Sequence, residues 1–397
     1  MMARWQKGAV AIAGIGESAY YRHGKSPDPE FKLALQAILA ACADAGIDPR
    51  TIDGFASYSD DRNDAVRLAT ALGIHALRWS SMQWGGGGGG TAGAVQQAAA
   101  AIRAGMARRV IVFRALAQGQ FARFGLGGYG GAAGATVSGE TAFSLPYGAI
   151  SPAQRYALKA KRFMHDHGVR QDALRAIALA SYHHAQANPR AVMYGRPLTA
   201  EAYDASRWIA EPFHLYDCCQ ENDGAAAVLL VSAEEARDLP TTPAYLLGVA
   251  AGSQRRYGAT SHSGDDFASA NFKTVAADLY DQAGVTPADI DVVQAYENFT
   301  GGVMMSLAEH GLFHPDETNA ALTPENLTAG TGRLPLNTSG GHLAEAYIHG
   351  ANLIVEATRQ LRGTSPNQVA GAKVSMMIAG PMVAPVSSLI LGTAACL

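Results

Sequence analysis

The stretch "NTSGGHLAEAYIHGAN", Asn337–Asn352, sets three rings and a carboxylate close together: His342, Glu345, Tyr347 and His349. Such side chains bind metals or move protons. His342, Glu345 and His349 stand at i, i+3 and i+7, so on one helix they would share a face and a metal site is conceivable. The Gly340-Gly341 pair starts a turn, however, and a regular apolar pattern begins only near Ala351. On a loop the spacing loses its meaning, so no metal is expected.

Four other stretches carry chemistry. "YENFTGG", from Tyr296, follows the strand-like "IDVVQA", and the carboxyl end of a strand in an α/β sheet is where ligands usually bind. Tyr296 or Glu297 could act there as acid or base. "WGGGGGGTAG" places six glycines, Gly85–Gly90, before a helix. Its free N–H groups suit an anion, although an uninterrupted run satisfies a dinucleotide fingerprint trivially and no Walker lysine follows. "YDCCQENDGAAAVLLVS" offers Cys218 or Cys219 as a nucleophile with His214 nearby, or simply a turn into a core strand. "VSMMIAGPM" ends a strand at Gly380, whose N–H could serve an oxyanion hole.

The elements that hold these residues read as α/β layers. Strand-like runs are "GAVAIAGIG", "RVIVFRA", "AAAVLLVS", "AYLLGVAAG", "IDVVQAYE" and "SSLILG". Ala-rich runs of helical period alternate with them, most ending at glycine. The chain also repeats. Gly46, Pro49, Ile52, Asp53 and Tyr58 reappear as Gly284, Pro287, Ile290, Asp291 and Tyr296, each 238 positions later. Two similar halves are therefore expected, 1–240 and 241–397. Residues 115–210, including the glycine-rich "GQFARFGLGGYGGAAGATVSG", fit the repeat poorly and read as an insertion, where substrate sites often lie.

Composition bounds the rest. The 397 residues are 48% hydrophobic with a formal net charge of -3, enough for a large core and without the basic runs of a nucleic-acid binder. The four cysteines show no zinc spacing and read as free thiols of a reducing cytoplasm. No apolar run reaches the roughly 18 residues that span a bilayer.

Taken in order, "GGGGGGTAGAVQQAAAAIRAG", "LPYGAISPAQRYALKAKRFMHDHG", "DCCQENDGAAAVLL", "YENF" and "NTSGGHLAEAYIHG" resemble the thiolase superfamily, in its lipid-transfer-protein/sterol-carrier branch, over nearly the whole chain. The resemblance implies two halves in a five-layer α/β/α/β/α fold with an inserted loop domain, and a homodimer. It also exposes departures. The place of the acyl-accepting cysteine falls at Gly88, and that of the second cysteine at about Met377. Tyr347 stands where thiolases have the histidine that helps hold the thioester oxygen, and Tyr296-Glu297-Asn298-Phe299 where they have Asn-Glu-Ala-Phe. The pattern resembles the thiolase-like aldolases that shorten steroid side chains by retro-aldol cleavage of a β-hydroxyacyl-CoA, in complex with a DUF35-type OB-fold protein.

The resemblance thus implies Tyr347 and Tyr296 as an acid/base pair, Tyr347 for the hydroxyl proton and Tyr296 for the enolate, or the reverse. It makes the N–H groups of Gly88 and Gly380 the oxyanion donors, with Glu297, His342 and His349 in support. The CoA thioester is substrate and no cofactor is needed. A tyrosine base must overcome a pKa of about 10, which burial raises; His342 and His349 are the nearest groups in sequence that could help. The rivals are acyl transfer through Cys218 or Cys219, and a non-catalytic lipid or sterol carrier.

Overall fold

The computed structural model describes residues 5–120, 142, 144–257, 266–330 and 332–397. The glycine-rich part of the insertion, 121–141, lies outside them. The first half runs β1 (Val10–Glu17), β2 (Tyr21–Arg22), α1 (Glu30–Asp44), β3 (Gly54–Tyr58), α2 (Ala65–Ala71), β4 (Trp79–Gln83), α3 (Thr91–Arg103) and β5 (Val110–Ala117). Next come α4 (Pro152–Asp166), α5 (Gln171–Ala185), α6 (Ala200–Asp204), β6 (Trp208–Ala210) and β7 (Phe213–His214). The half closes with β8 (Asn222–Ser232) and α7 (Ala233–Arg237). The second half runs β9 (Ala244–Gly252), α8 (Lys273–Ala283), β10 (Val292–Ala295), α9 (Thr300–Glu309), α10 (Thr318–Ala321), α11 (Pro324–Leu327), α12 (Ala351–Arg362), β11 (Val374–Ile378) and β12 (Val386–Gly392).

The repeat in sequence is a repeat in space. Strands order as β10-β11-β12-β9 in one half and β3-β5-β8-β1 in the other, with β4 added at the first half's edge. Each four-strand set has one parallel pair followed by two antiparallel pairs. A short antiparallel contact, Ala11 opposite Tyr245, joins the halves through β1 and β9. Helix α1 covers β1, β8 and β5 on one outer face, and α8 covers β9 and β12 on the other. Helices α3 and α12 lie between, each touching strands of both halves. These are five layers, the thiolase fold.

The repeated residues do equivalent work. Gly46 and Gly284 follow α1 and α8 in the left-handed region, φ 67° and 62°, where a Cβ would be strained. Asp53 accepts from the backbone N–H groups of Arg108 and Arg109 at the start of β5; Asp291 accepts from Lys373 and Val374 at the start of β11. Each carboxylate pins one strand beside the next. The α1 face is Leu33, Ala34, Ala37, Ile38, Ala41 and Cys42, all buried. It sits so close to β1 that a Cβ on Gly14 would lie 2.2 Å from the Ala41 carbonyl oxygen.

β4, α5 and α9 are among the elements not read from sequence. β4, "WSSMQ", has little apolar content. α5 and α9 are buried along most of their lengths, which blurs an amphipathic pattern. Among the described residues no helix is long and apolar enough to cross a membrane.

Candidate active site

Three segments converge on one point. β10 ends at Ala295, and the next N–H, that of Tyr296, donates to the Ile378 carbonyl at 2.9 Å, extending the pairing with β11. Asn337 clamps this end: its side chain accepts from the Ala295 N–H at 2.7 Å and donates to the Ala295 carbonyl at 2.9 Å. After Gly340 the chain makes one π-helical turn, Gly341–Glu345, then runs extended at Ala346. The Tyr347 N–H is held at 2.9 Å by the Asn222 carboxamide oxygen at the start of β8. The phenols of Tyr296 and Tyr347 thereby meet, oxygens 2.6 Å apart in a direct hydrogen bond, and both side chains are buried.

The glycine turn before α3 supplies the third wall. A Cβ on Gly88 would lie 2.0–2.3 Å from ring atoms and the hydroxyl of Tyr296. The phenol therefore fills the space a side chain at position 88 would take. Gly350 packs the opposite side, its would-be Cβ 3.1 Å from the Met377 methyl and 3.2 Å from the Tyr296 ring. Of the two positions where the resemblance puts a cysteine, Gly88 borders Tyr296 directly, and Met377 lies with Tyr296 around Gly350. Thr91 fastens the turn to the Tyr347 segment, donating to the carbonyls of Gly88 and His349 at 2.7 and 2.6 Å. Tyr58, the repeat counterpart of Tyr296, donates to the same His349 carbonyl at 2.9 Å.

One expected donor is otherwise engaged. The Gly380 N–H donates to the Gly88 carbonyl at 3.2 Å. This contact ties the β11 turn to the glycine turn, and it corrects the expectation of Gly380 as a free oxyanion donor.

The histidines do not act as cations. His342 stands edge-on to both phenols, ring centroids 4.5 Å from Tyr296 and 5.0 Å from Tyr347. Burial holds its pKa down at about 3, and the Asn352 side chain offsets this only weakly. Neither ring nitrogen has a well-formed hydrogen bond among the described residues. His349, at φ 48° and with its ring 5.1 Å from Tyr347, is pushed well below its ordinary pKa by burial and then by the Arg114 charge. Either histidine is thus left to help a tyrosine as a neutral ring rather than as a charge. Both phenols are raised well above 10, first by burial. The cation that acts against this at Tyr347 is Arg114, buried on β5 and bonded to the Tyr58 carbonyl and to Asp60 at 2.7 and 2.8 Å. Arg114 was missed from sequence, although an arginine inside the apolar "VIVFRALA" was a signal.

The carboxylates organise the backbone. Glu297 accepts from the Ser181 hydroxyl at 2.5 Å and the His342 N–H at 2.7 Å, linking α5 of the insertion to the π turn. Burial raises its pKa to about 7. Glu345 accepts from Asn188, Ser339 and Asn352 at 2.9, 2.7 and 3.1 Å. Among the described residues no three His, Cys, Asp or Glu side chains converge as a metal site would need.

Burial, with the charges of Glu17 and Glu356, raises Glu345 to about 8. Between pH 4.5 and 8 the native state then binds a proton that the unfolded chain has lost. The contribution of this carboxyl to stability falls as pH rises through that window and levels off above it. We predict that Glu345→Gln removes up to about 1.4 kcal/mol per pH unit of this slope between pH 6.5 and 8. Urea midpoints measured across that range check it, and an unchanged slope would refute the assignment.

Among the described residues no base activates the Cys218 or Cys219 thiol. Burial raises the pKa of Cys218 and of Cys219, the latter well above 9. His214 spends its Nδ1 on the Ser206 carbonyl at 2.8 Å and stacks on Trp208, while the Cys218 thiol faces the His214 backbone carbonyl.

A layered α/β/α/β/α chain with its site at this junction is a thiolase-fold protein, and Gly88 and Met377 stand at the two positions where the resemblance puts cysteines. Residues 253–393 match the family described as thiolase C-terminal domain-like. The chain is 42% identical to a steroid side-chain-cleaving aldolase of Thermomonospora curvata, over 97% of this chain and 98% of that one. It is 40% identical to the 17-hydroxy-3-oxo-4-pregnene-20-carboxyl-CoA lyase of Mycobacterium tuberculosis, over 97% and 99%. A solved Ltp2-ChsH2(DUF35) aldolase superposes with a TM-score of 0.90 at 40% identity, covering 98% of this chain and 99% of that one. The chain belongs to the thiolase superfamily and, within it, to the steroid side-chain-cleaving aldolases, carbon–carbon lyases of thiolase fold.

Proposed function

We propose that the chain cleaves the Cα–Cβ bond of a β-hydroxyacyl-CoA carrying a steroid, releasing a ketosteroid and a short acyl-CoA. The observation that carries the mechanism is the 2.6 Å bond between Tyr296 and Tyr347. Retro-aldol cleavage moves one proton from the β-hydroxyl to Cα. Two phenols in direct contact form a relay for it. Tyr347 takes the hydroxyl proton as it passes its own to Tyr296, the Cα–Cβ electrons pass into the thioester enolate, and Tyr296 delivers its proton to Cα. Each phenol ends as it began, so neither has to exist as a free phenolate. This removes the difficulty of two raised pKa values, and Arg114 favours the transient charge on Tyr347. The reaction balances on substrate and tyrosines alone, so we assign no cofactor. With Gly380 engaged, the Gly88 N–H is the backbone donor we assign to the enolate oxygen.

The solved aldolase supports a DUF35-type OB-fold partner. The β4 edge supports a homodimer: among the described residues it pairs only with β3, and Met82 on it and Trp84 just after it are 47% and 88% exposed. The free cysteines suit a cytoplasmic enzyme.

The test is purification from the native host with mass spectrometry and sedimentation, followed by assay of the complex on a β-hydroxy steroid acyl-CoA. A DUF35 protein, two copies of this chain, and ketosteroid with short acyl-CoA are expected. The Cys218→Ser/Cys219→Ser variant should cleave at the wild-type rate. Binding without turnover would establish a carrier instead, and loss of turnover in the serine variant would restore the thiol route.

A further inference from the structure

Tyr296 is followed by a carboxylate that grips the segment leading to Tyr347. Glu297 is fully buried, and its Oε2 accepts from the backbone N–H groups of His342 and Leu343 at 2.7 and 3.4 Å. Its Oε1 accepts from the Ser181 hydroxyl on α5 at 2.5 Å. Gly341, at φ 55°, makes room for this grip: a Cβ there would lie 2.0 Å from Oε2. The gripped turn, Gly341–Glu345, carries the His342 ring, which stands edge-on to both phenols, and runs straight into Ala346 and Tyr347. One side chain thus ties together Tyr296 through its own backbone, Tyr347 through the π turn, and helix α5 of the insertion.

An ionised carboxylate only accepts hydrogen bonds, which matches three donors converging on it. Protonation turns one oxygen into a donor, and the bonds the other still accepts lose their charge assistance, about half their strength. We propose that Glu297 is a positioning residue for the tyrosine pair, and that its ionised form holds the π turn where the two phenols meet. The inference rests on the aldolase reading and goes beyond it by making the relay depend on the charge of a third side chain. The other titratable groups around Glu297 are Tyr296 beside it, Tyr182 on α5, Cys219 before β8 and His342 on the turn. Burial holds the phenols and the thiol up and His342 down, so these four stay neutral near pH 7. Glu345, at the far end of the turn, titrates at about 8 on its own set of donors. Glu297 itself is brought to about 7 by burial, against its hydrogen bonds, and so passes between its two forms around neutrality.

The experiment is carbon-13 NMR of the intact protein labelled at the tyrosine Cζ atoms, read against pH beside the cleavage assay of the complex. Tyr296→Phe and Tyr347→Phe assign the two signals. In wild type both should shift with a midpoint near 7. The kcat should fall as pH drops through the same value, by up to about 10²-fold, the cost of misplacing a reacting group. Glu297→Gln should show neither step and stay at the low rate between about pH 6 and 8. Ser181→Ala removes a donor that favours the ionised form, so both steps should move to higher pH. Glu345→Gln should leave them in place. A merely structural role would lower the rate in Glu297→Gln without removing the steps. Steps retained in Glu297→Gln, or an unmoved midpoint in Ser181→Ala, would overturn the assignment. Tyrosine signals that follow these variants in a protein that cleaves no steroid thioester would count against the aldolase reading alone.

Discussion

Tyr347→Phe and Tyr296→Phe are each expected to lower kcat for carbon–carbon cleavage by about 10²–10⁴-fold, the range for a lost acid/base group. Each change removes one oxygen and leaves the ring in its packing. Melting temperature and oligomeric state should therefore move little. The relay adds a sharper expectation. The two oxygens act in series through one hydrogen bond, so the double variant should be no slower than the worse single. Multiplicative losses would mean that the tyrosines work independently. Full activity in either single variant would remove that residue from the mechanism.

Gly88→Ala should also be severe, for a steric reason. Gly88 has no positive φ, so alanine meets no backbone penalty there. Its methyl would stand 2.0–2.3 Å from Tyr296, well inside contact distance, and the ring must shift by about 1 Å. The ring cannot move freely, because His342 and the Tyr347 phenol close its other sides. Overpacking of this kind costs about 1–3 kcal/mol. Displacing a reacting group by about 1 Å can cost on the order of 10²-fold in rate. Activity should thus fall much further than stability. A double-mutant cycle isolates the clash: in a Tyr296→Ala background, Gly88→Ala should cost almost no stability. An equal cost in both backgrounds would place the problem elsewhere. The same contact explains why glycine stands where a thiolase keeps its cysteine, since Tyr296 and a side chain at 88 cannot share that space.

Much of this was legible before the fold was seen. The 238-residue repeat foretold two equivalent halves because each copy carries its own signals: a glycine after a helix, and an aspartate that pins the next strand. Tyr347 and Gly88 follow from counting along motifs, and Tyr296 from its place just past a strand-like run; counting works where the backbone between anchor and site has one conformation. Asn337 is such an anchor, since its side chain grips Ala295 directly before Tyr296. The charges were not legible. His342 and His349 looked like the groups that would assist a tyrosine, and burial keeps both neutral.

The order of elements and the identity of the tyrosines were properties of the sequence, because periodicity, glycine stops and motif spacing are local. Tertiary structure alone decided that the two phenols touch, that the Gly380 N–H is already spent on Gly88, and that Arg114 and Asn222, from strands far away in the chain, serve Tyr347. A hydrogen-bond donor is free or engaged, and a histidine charged or neutral, according to what packs against it. Those neighbours come from both halves of the chain and meet only when the layers close.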